Sequence, residues 1–280
     1  MKILLTGRDG QVGWELERLL PPLGEVISLS RRQLDLAQTD AIRRVVRDAR
    51  PQLLINAAAY TAVDKAEREA DMAMRVNGTA PAVLAEEARR LGAMLVHYST
   101  DYVFDGRKRE PYVEDDAPNP LNVYGESKLA GERAIAQSGC RHLILRTSWV
   151  YGPRGKNFFL TIAAKARAGA PLRVVVDQRG VPTTSRFLAE KTLALLAKDA
   201  AGLLHLVPAG ETTWFDFARE IVRLTDAKSD VQPISSAEFA AAARRPASSV
   251  LDNRKAAAAL GEAFPDWRTV LRAMTEAAGA

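Results

Sequence analysis

Short apolar runs alternate along residues 1–207 with stretches in which apolar positions recur every three or four residues. The runs are Ile3-Leu4-Leu5, Val26-Ile27-Ser28-Leu29, Leu53-Leu54-Ile55, Met94-Leu95-Val96 and Leu143-Ile144-Leu145-Arg146. Continuous rather than alternating apolar runs predict strands buried on both faces, as in a parallel sheet. Between them, Val12, Leu16, Leu19 and Leu20 line one helical face, and Ile42, Val45, Val46 and Ala49 line another. An Ala-rich helix is predicted from Ala80 to Leu91. This order of elements is that of βαβ units in a doubly wound sheet. Two later runs, residues 173–176 and 203–207, are joined by helical spacing over Phe187 to Ala197 and are expected to complete that sheet.

The texture changes after Val207. Trp214, Phe217, Ile221 and Leu224 fall on one helical stripe, with Thr212 and Thr213 as candidate caps. Ala-rich helices are predicted over 236–243 and 254–263, separated by Arg245-Pro246. The chain therefore divides into a sheet domain over 1–150 and a smaller, mainly helical C-terminal lobe over 151–280. The lobe is discontinuous, because its strands near 173 and 203 return to the sheet.

Composition narrows the function classes. The chain has 280 residues, 47% hydrophobic and 26% charged, which excludes disorder and fibrous repeats. A formal charge of +5 suits an anionic small molecule. The basic residues are dispersed in pairs and triplets, which argues against nucleic acid. The single Cys140 rules out an internal disulfide and fits a reducing compartment. No apolar run approaches the ~18 residues of a membrane span. A strand-like run from Lys2 leaves no room for a signal peptide, so a cytoplasmic location is expected.

Three local patterns carry chemistry. The first strand enters Gly7-x-x-Gly10-x-x-Gly13. Gly7 permits the sharp turn, Gly10 lets a pyrophosphate approach the backbone, and Gly13 lets helix and strand pack closely. The phosphates would sit over free backbone N–H groups at the helix start. Next, Thr100 stands at the carboxyl end of a strand, where ligands of doubly wound sheets bind. Finally, Tyr124 and Lys128 are four apart and share a helix face. A phenol near pKa ~10 is a poor acid at neutral pH unless a nearby ammonium stabilises its phenolate. The second strand ends at Ser30-Arg31-Arg32 rather than at a carboxylate. A guanidinium there, Arg31 above all, suits the 2′-phosphate of NADPH.

In this order, with Asn56-Ala57-Ala58-Ala59 and Ser99-Thr100-Asp101-Tyr102-Val103-Phe104, the motifs resemble the extended short-chain dehydrogenases/reductases. Within them the chain resembles the dTDP-4-dehydrorhamnose reductases. Asp177-Gln178-x-Gly180-x-Pro182-Thr183 and Arg245-Pro246-x-Ser248-Ser249-x-Leu251-Asp252-Asn253 support the narrower match. The resemblance implies a Rossmann-like fold and reduction of a keto-sugar nucleotide by a nicotinamide cofactor; with Ser30-Arg31-Arg32 after the second strand, NADPH is the expected cofactor, with NADH used less efficiently. It implies cofactor contacts from Gly10, Gln11, Val12, Asp35, Leu36, Ala59, Tyr60, Thr61, Tyr98, Tyr124 and Lys128. It further implies substrate contacts from Thr100, Asp101 and Trp149, with Thr100, Tyr124 and Lys128 catalytic. The Arg245-Pro246 segment would close over the nucleotide sugar. A core role for Trp149 is the competing reading.

Two alternatives accompany this reading. One is a related nucleotide-sugar epimerase, dehydratase or reductase, although Thr100-Asp101-Tyr102 lacks the Asp-Glu pair of a dehydratase. The other is a non-catalytic subunit resembling the regulatory β subunit of methionine adenosyltransferase. His97, His142 and His205 lie in or beside apolar strands without ligand spacing and are expected to be structural. The family has been associated with Mg²⁺ at a homodimer contact through glutamates, and Glu15 matches one such position. No second carboxylate is placed by the sequence, so metal and dimer stay open.

Overall fold

All four residues of β3 (Leu53–Asn56) are buried, so the strand has no face to turn to water. It lies inside a sheet covered on both sides. The computed structural model describes residues 1–225 and 227–279. Among these, six parallel strands form the main sheet: β1 (Lys2–Thr6), β2 (Glu25–Leu29), β3, β4 (Met94–Thr100), β5 (His142–Thr147) and Gly202–His205. Their order is β2-β1-β3-β4-β5 followed by Gly202–His205. After β2 the chain crosses β1 to lay down β3 on its other side. The direction of building reverses there, and the loops diverge to leave a crevice beyond the carboxyl ends.

Helix α1 (Gln11–Leu19) and the helix Ser185–Ala197 cover one face, burying Leu16, Phe187, Leu188 and Leu195 against the strands. Thr39–Ala49 and Ala80–Leu91 cover the other with Ile42, Val46, Val83 and Leu84. A separate core holds the C-terminal lobe, where Phe159, Ile162, Phe217, Ile221, Trp267 and Leu271 pack together. Among the described residues no helix is long and apolar enough to cross a membrane.

The lobe differs from its pattern in three places. Leu172–Val175 does not join the main sheet but pairs in parallel with Val231–Ile234. Gly202–His205 already occupies the place beside β5, and Val174 buries in the lobe's own core instead. Val231–Ile234 is a strand that Gln232 and Pro233 conceal, since proline normally marks a position outside a ladder. The Ala-rich helices are shorter than expected. Ser236–Phe239 stops at left-handed Ala240, and Arg254–Leu260 stops at Gly261.

Candidate active site

The glycine turn sits at the crevice. Gly7 has φ 77°, and a Cβ there would lie 2.6 Å from Ala58 N. A Cβ on Gly13 would come within 2.1 Å of Gly7 O, so only glycine lets α1 cross this close. The first helical bond runs from Trp14 N–H to Gly10 O at 3.0 Å. The N–H groups of Gln11, Val12 and Gly13 precede it, and among the described residues no side chain caps the helix start. With the helix dipole, this end suits a pyrophosphate. The Gln11 side chain is engaged elsewhere, accepting from Asn157 Nδ2 at 2.8 Å.

Beside the turn lies a cavity of ≈ 500 Å³ lined by Arg8, Asp9, Ser30, Arg32 and Gln33. Arg31 is exposed and does not line it; the guanidinium groups at the cavity belong to Arg8 and Arg32. The Asp35 carboxylate accepts from Ala37 N–H at 3.0 Å, and the Leu36 side chain is buried in the core.

The loop Ala59-Tyr60-Thr61 is held by a residue that no sequence pattern announces. Asn77 lies in a π-turn over Arg75–Thr79, a distortion often found at functional sites. Its Oδ1 accepts from Tyr60 N–H at 2.8 Å, and its Nδ2 donates to Tyr60 O at 2.9 Å and Ser127 Oγ at 3.0 Å. Ala59 and Tyr60 are half-buried and Thr61 is exposed. The Tyr60 hydroxyl donates to Glu69 at 2.9 Å.

Ser127 belongs to the helix Val123–Gln137, which carries both Tyr124 and Lys128. Asn122 caps it, accepting from Gly125 N–H at 2.8 Å and donating to Arg244 O at 2.8 Å. A Cβ on Gly125 would lie 2.2 Å from Tyr102 O, so the helix start is pressed against the turn after β4. Half-buried Tyr124 thereby comes beside Thr100 and Asp101. Burial pushes its pKa up to about 12; the Thr100 hydroxyl opposes the shift and the Asp101 charge adds to it. This differs from the ammonium-depressed phenol that the four-residue offset predicts. Lys128 Nζ instead faces Tyr98 O at 2.5 Å and His97 Nε2 at 3.0 Å. Burial lowers the lysine to about 8, against the pull of Glu132.

Thr100, the last residue of β4, is 5% exposed. Its Oγ1 accepts from Tyr102 N–H at 3.1 Å and donates to Asp101 Oδ1 at 3.0 Å. Among the described residues Asp101 Oδ2 has no hydrogen-bond partner of good geometry; burial pushes the carboxyl up to about 7, opposed by the nearby Ser249 and Thr100 hydroxyls. The Tyr98 hydroxyl is 2.7 Å from Thr192 Oγ1, which leaves its half-buried ring as the part that can meet a ligand.

Trp149 lies just past β5 with φ 47°, a left-handed backbone rare for a bulky residue. Its indole stacks on Trp214 with centroids 3.6 Å apart, and a Cβ on Gly180 would reach within 2.4 Å of the same ring. The half-buried stack joins the sheet domain to the lobe. Arg245 joins them again, donating to the Asp64 carboxylate at 2.8 and 3.0 Å, rather than standing as a free flap.

The surroundings of Glu15 do not fit a divalent cation. The Arg186 guanidinium lies 3.6 Å from Glu15 and 2.5 Å from Glu190, and so supplies the positive charge between the two carboxylates. Among the described residues no group of three or more His, Cys, Asp or Glu side chains could hold a metal ion.

Comparison with known proteins bears on this constellation. The family model for the RmlD substrate binding domain matches residues 1–279. The chain belongs to this family. A dTDP-4-dehydrorhamnose reductase of Burkholderia thailandensis is 45% identical over 96% of both chains. One from Escherichia coli K12 is 41% identical over 98% of this chain and 97% of its own. The crystal structure of the Bacillus anthracis reductase in complex with NADP has a TM-score of 0.95 at 34% identity, covering 99% of both chains. A UDP-glucose 4-epimerase of Thermus thermophilus, at 21% identity and TM-score 0.84, shares the fold.

Proposed function

We infer that this RmlD-family chain reduces the C4 keto group of dTDP-4-dehydro-β-L-rhamnose with NADPH, giving dTDP-β-L-rhamnose. The observation that carries the reading is the meeting of Tyr124 and Thr100 at the carboxyl edge of the sheet, one crevice away from the uncapped glycine turn. The substrate is that of the dTDP-4-dehydrorhamnose reductases to which the chain is 45% and 41% identical. With its pKa near 12, Tyr124 is protonated at neutral pH and starts the cycle as an acid. Its hydroxyl and that of Thr100 take the ketone oxygen between them. A dihydronicotinamide held there would supply the hydride that C4 receives, and would itself be oxidised. Tyr124 then gives its proton to the new alkoxide, while Thr100 stabilises the developing charge. Lys128 would hold the nicotinamide ribose. The Trp149–Trp214 stack forms an apolar wall for the nucleotide sugar. The test is oxidation of NADPH that depends on the keto sugar. A folded chain that binds NADPH but never consumes it with this sugar would remove the proposal.

Trp149→Ala is expected to raise the substrate KM at least ~10-fold, the scale of one lost aromatic contact, with a small change in Tm. Normal kinetics with a large loss of Tm would make the stack purely structural.

Preference for NADPH follows from the cavity at Ser30. Arg8 and Arg32 line it with no carboxylate other than Asp9, and a 2′-phosphate would meet charge-assisted hydrogen bonds there. The Bacillus relative is complexed with NADP. Arg32→Ala is expected to raise KM for NADPH by ~10-fold while leaving that for NADH nearly unchanged. Equal losses with the two cofactors would assign Arg32 to general folding. We also assign the protein to the cytoplasm, where Cys140 stays reduced.

A further inference from the structure

His97 is 1% exposed at the centre of the sheet, and both its ring nitrogens have partners. Burial and the neighbouring Lys128 hold its pKa well below the usual histidine range, so the ring is neutral and carries one proton. The surrounding bonds decide which nitrogen holds it. Asn56 Oδ1 accepts from the Thr6 hydroxyl at 2.7 Å and from Ala58 N–H at 3.3 Å. A backbone N–H only donates, so the amide oxygen faces Ala58 and the amide NH₂ faces His97 Nδ1 at 3.0 Å. Nδ1 is therefore bare, and Nε2 carries the proton. That proton points at Lys128 Nζ, 3.0 Å away. An ammonium has three donors and no lone pair. The Nε2–H group finds an acceptor there only when Nζ is an uncharged amine, itself donating to Tyr98 O.

We propose that His97 is a positioning residue for Lys128: the chain Ala58–Asn56–His97 turns a donor toward Nζ and so sets how firmly the lysine holds its proton. For the ammonium to be accommodated, the ring must move its proton to Nδ1 and Asn56 must rotate. The amide NH₂ would then face Ala58 N–H, donor against donor. The chain therefore opposes the charged lysine, in the same direction as burial. Glu132, one turn along the helix, acts the other way, although its charge is shared with Arg146 of β5 at 2.7 Å. Among the described residues, Tyr124 on the same helix and Tyr98 on β4 also lie near Lys128, with Asp101 beside Tyr124. This inference rests on the reductase reading of Lys128, because a lysine of intermediate basicity matters only where protons are exchanged.

Asn56→Asp tests it without emptying the core. A carboxylate in place of the amide accepts from Thr6, Ala58 N–H and a His97 Nδ1–H alike, which reverses the chain and leaves Nε2 free to accept from an ammonium. Nitrogen NMR of imidazole-labelled protein, recorded above the pH at which Lys128 gives up its proton, is expected to show the His97 proton on Nε2 in the wild type and on Nδ1 in the variant. In parallel, the alkaline limb of kcat against pH is expected to move up by about one unit in Asn56→Asp. A wild-type proton on Nδ1, or an unmoved alkaline limb in a variant whose tautomer has switched, overturns the proposal. The tautomer measurement needs no turnover, so loss of the reductase reading would show separately, as a wild type inactive on the keto sugar.

Discussion

Tyr124→Phe is expected to lower kcat by ~10²–10⁴ while leaving NADPH binding nearly intact. The substitution removes one oxygen from a half-buried ring, so packing against Tyr102 persists with centroids 6.0 Å apart. The alkoxide formed by hydride addition then lacks its proton donor. Thr100 remains as a hydrogen-bond partner once its hydroxyl turns from Asp101 Oδ1 to the substrate oxygen, but an aliphatic alcohol is too weak an acid to supply the missing proton. Because the phenol is held up to about 12 by burial, the wild type keeps its donor throughout the neutral range. The effect should appear in kcat at saturating cofactor and substrate. A Phe variant with unimpaired kcat would take Tyr124 out of the mechanism.

Gly125→Ala is expected to cost nearly as much, although the residue touches no reacting atom. The added methyl would stand 2.2 Å from Tyr102 O, a backbone atom with little freedom to yield. Either the helix start or the turn after β4 must shift. That overlap costs ~1–3 kcal/mol of stability by the usual scale of overpacking. The same shift withdraws Tyr124 from Thr100, and a displacement of ~1 Å at a reacting centre is worth about 10²-fold in rate. Lys128 lies a full turn further along, so cofactor Kd should change less than kcat. Wild-type kcat in a correctly folded Gly125→Ala protein would show that the tight approach does not position the tyrosine.

What the sequence disclosed and what it withheld divide along a physical line. The glycine turn, the strand-end position of Thr100 and the shared helix face of Tyr124 and Lys128 depend on spacing within one local element. They are legible for that reason. Asn77, the Asn56–His97 pair, the Trp149–Trp214 stack and the Arg186 bridge join residues remote in sequence, and no periodicity encodes such meetings. Arg31 and Arg32 show the limit of resolution. Both follow β2, and only the turn of the loop puts Arg32 at the cavity. The lysine is similar: its helix face was readable, but not that its amine reaches the backbone of β4 rather than the phenol. In the lobe, Val231–Ile234 was hidden because its partner strand, not its own composition, makes it a strand.

The central claim is that this site delivers hydride to C4, and a proton to the C4 oxygen, of a 4-keto-6-deoxy sugar nucleotide. NMR analysis of the sugar product, after turnover of dTDP-4-dehydro-β-L-rhamnose with NADPH deuterated at the transferable position, tests it most directly. The account predicts dTDP-β-L-rhamnose carrying deuterium at C4, with one NADP⁺ formed for each sugar reduced. Recovery of unchanged keto sugar, or of a product with no deuterium at C4, would contradict it.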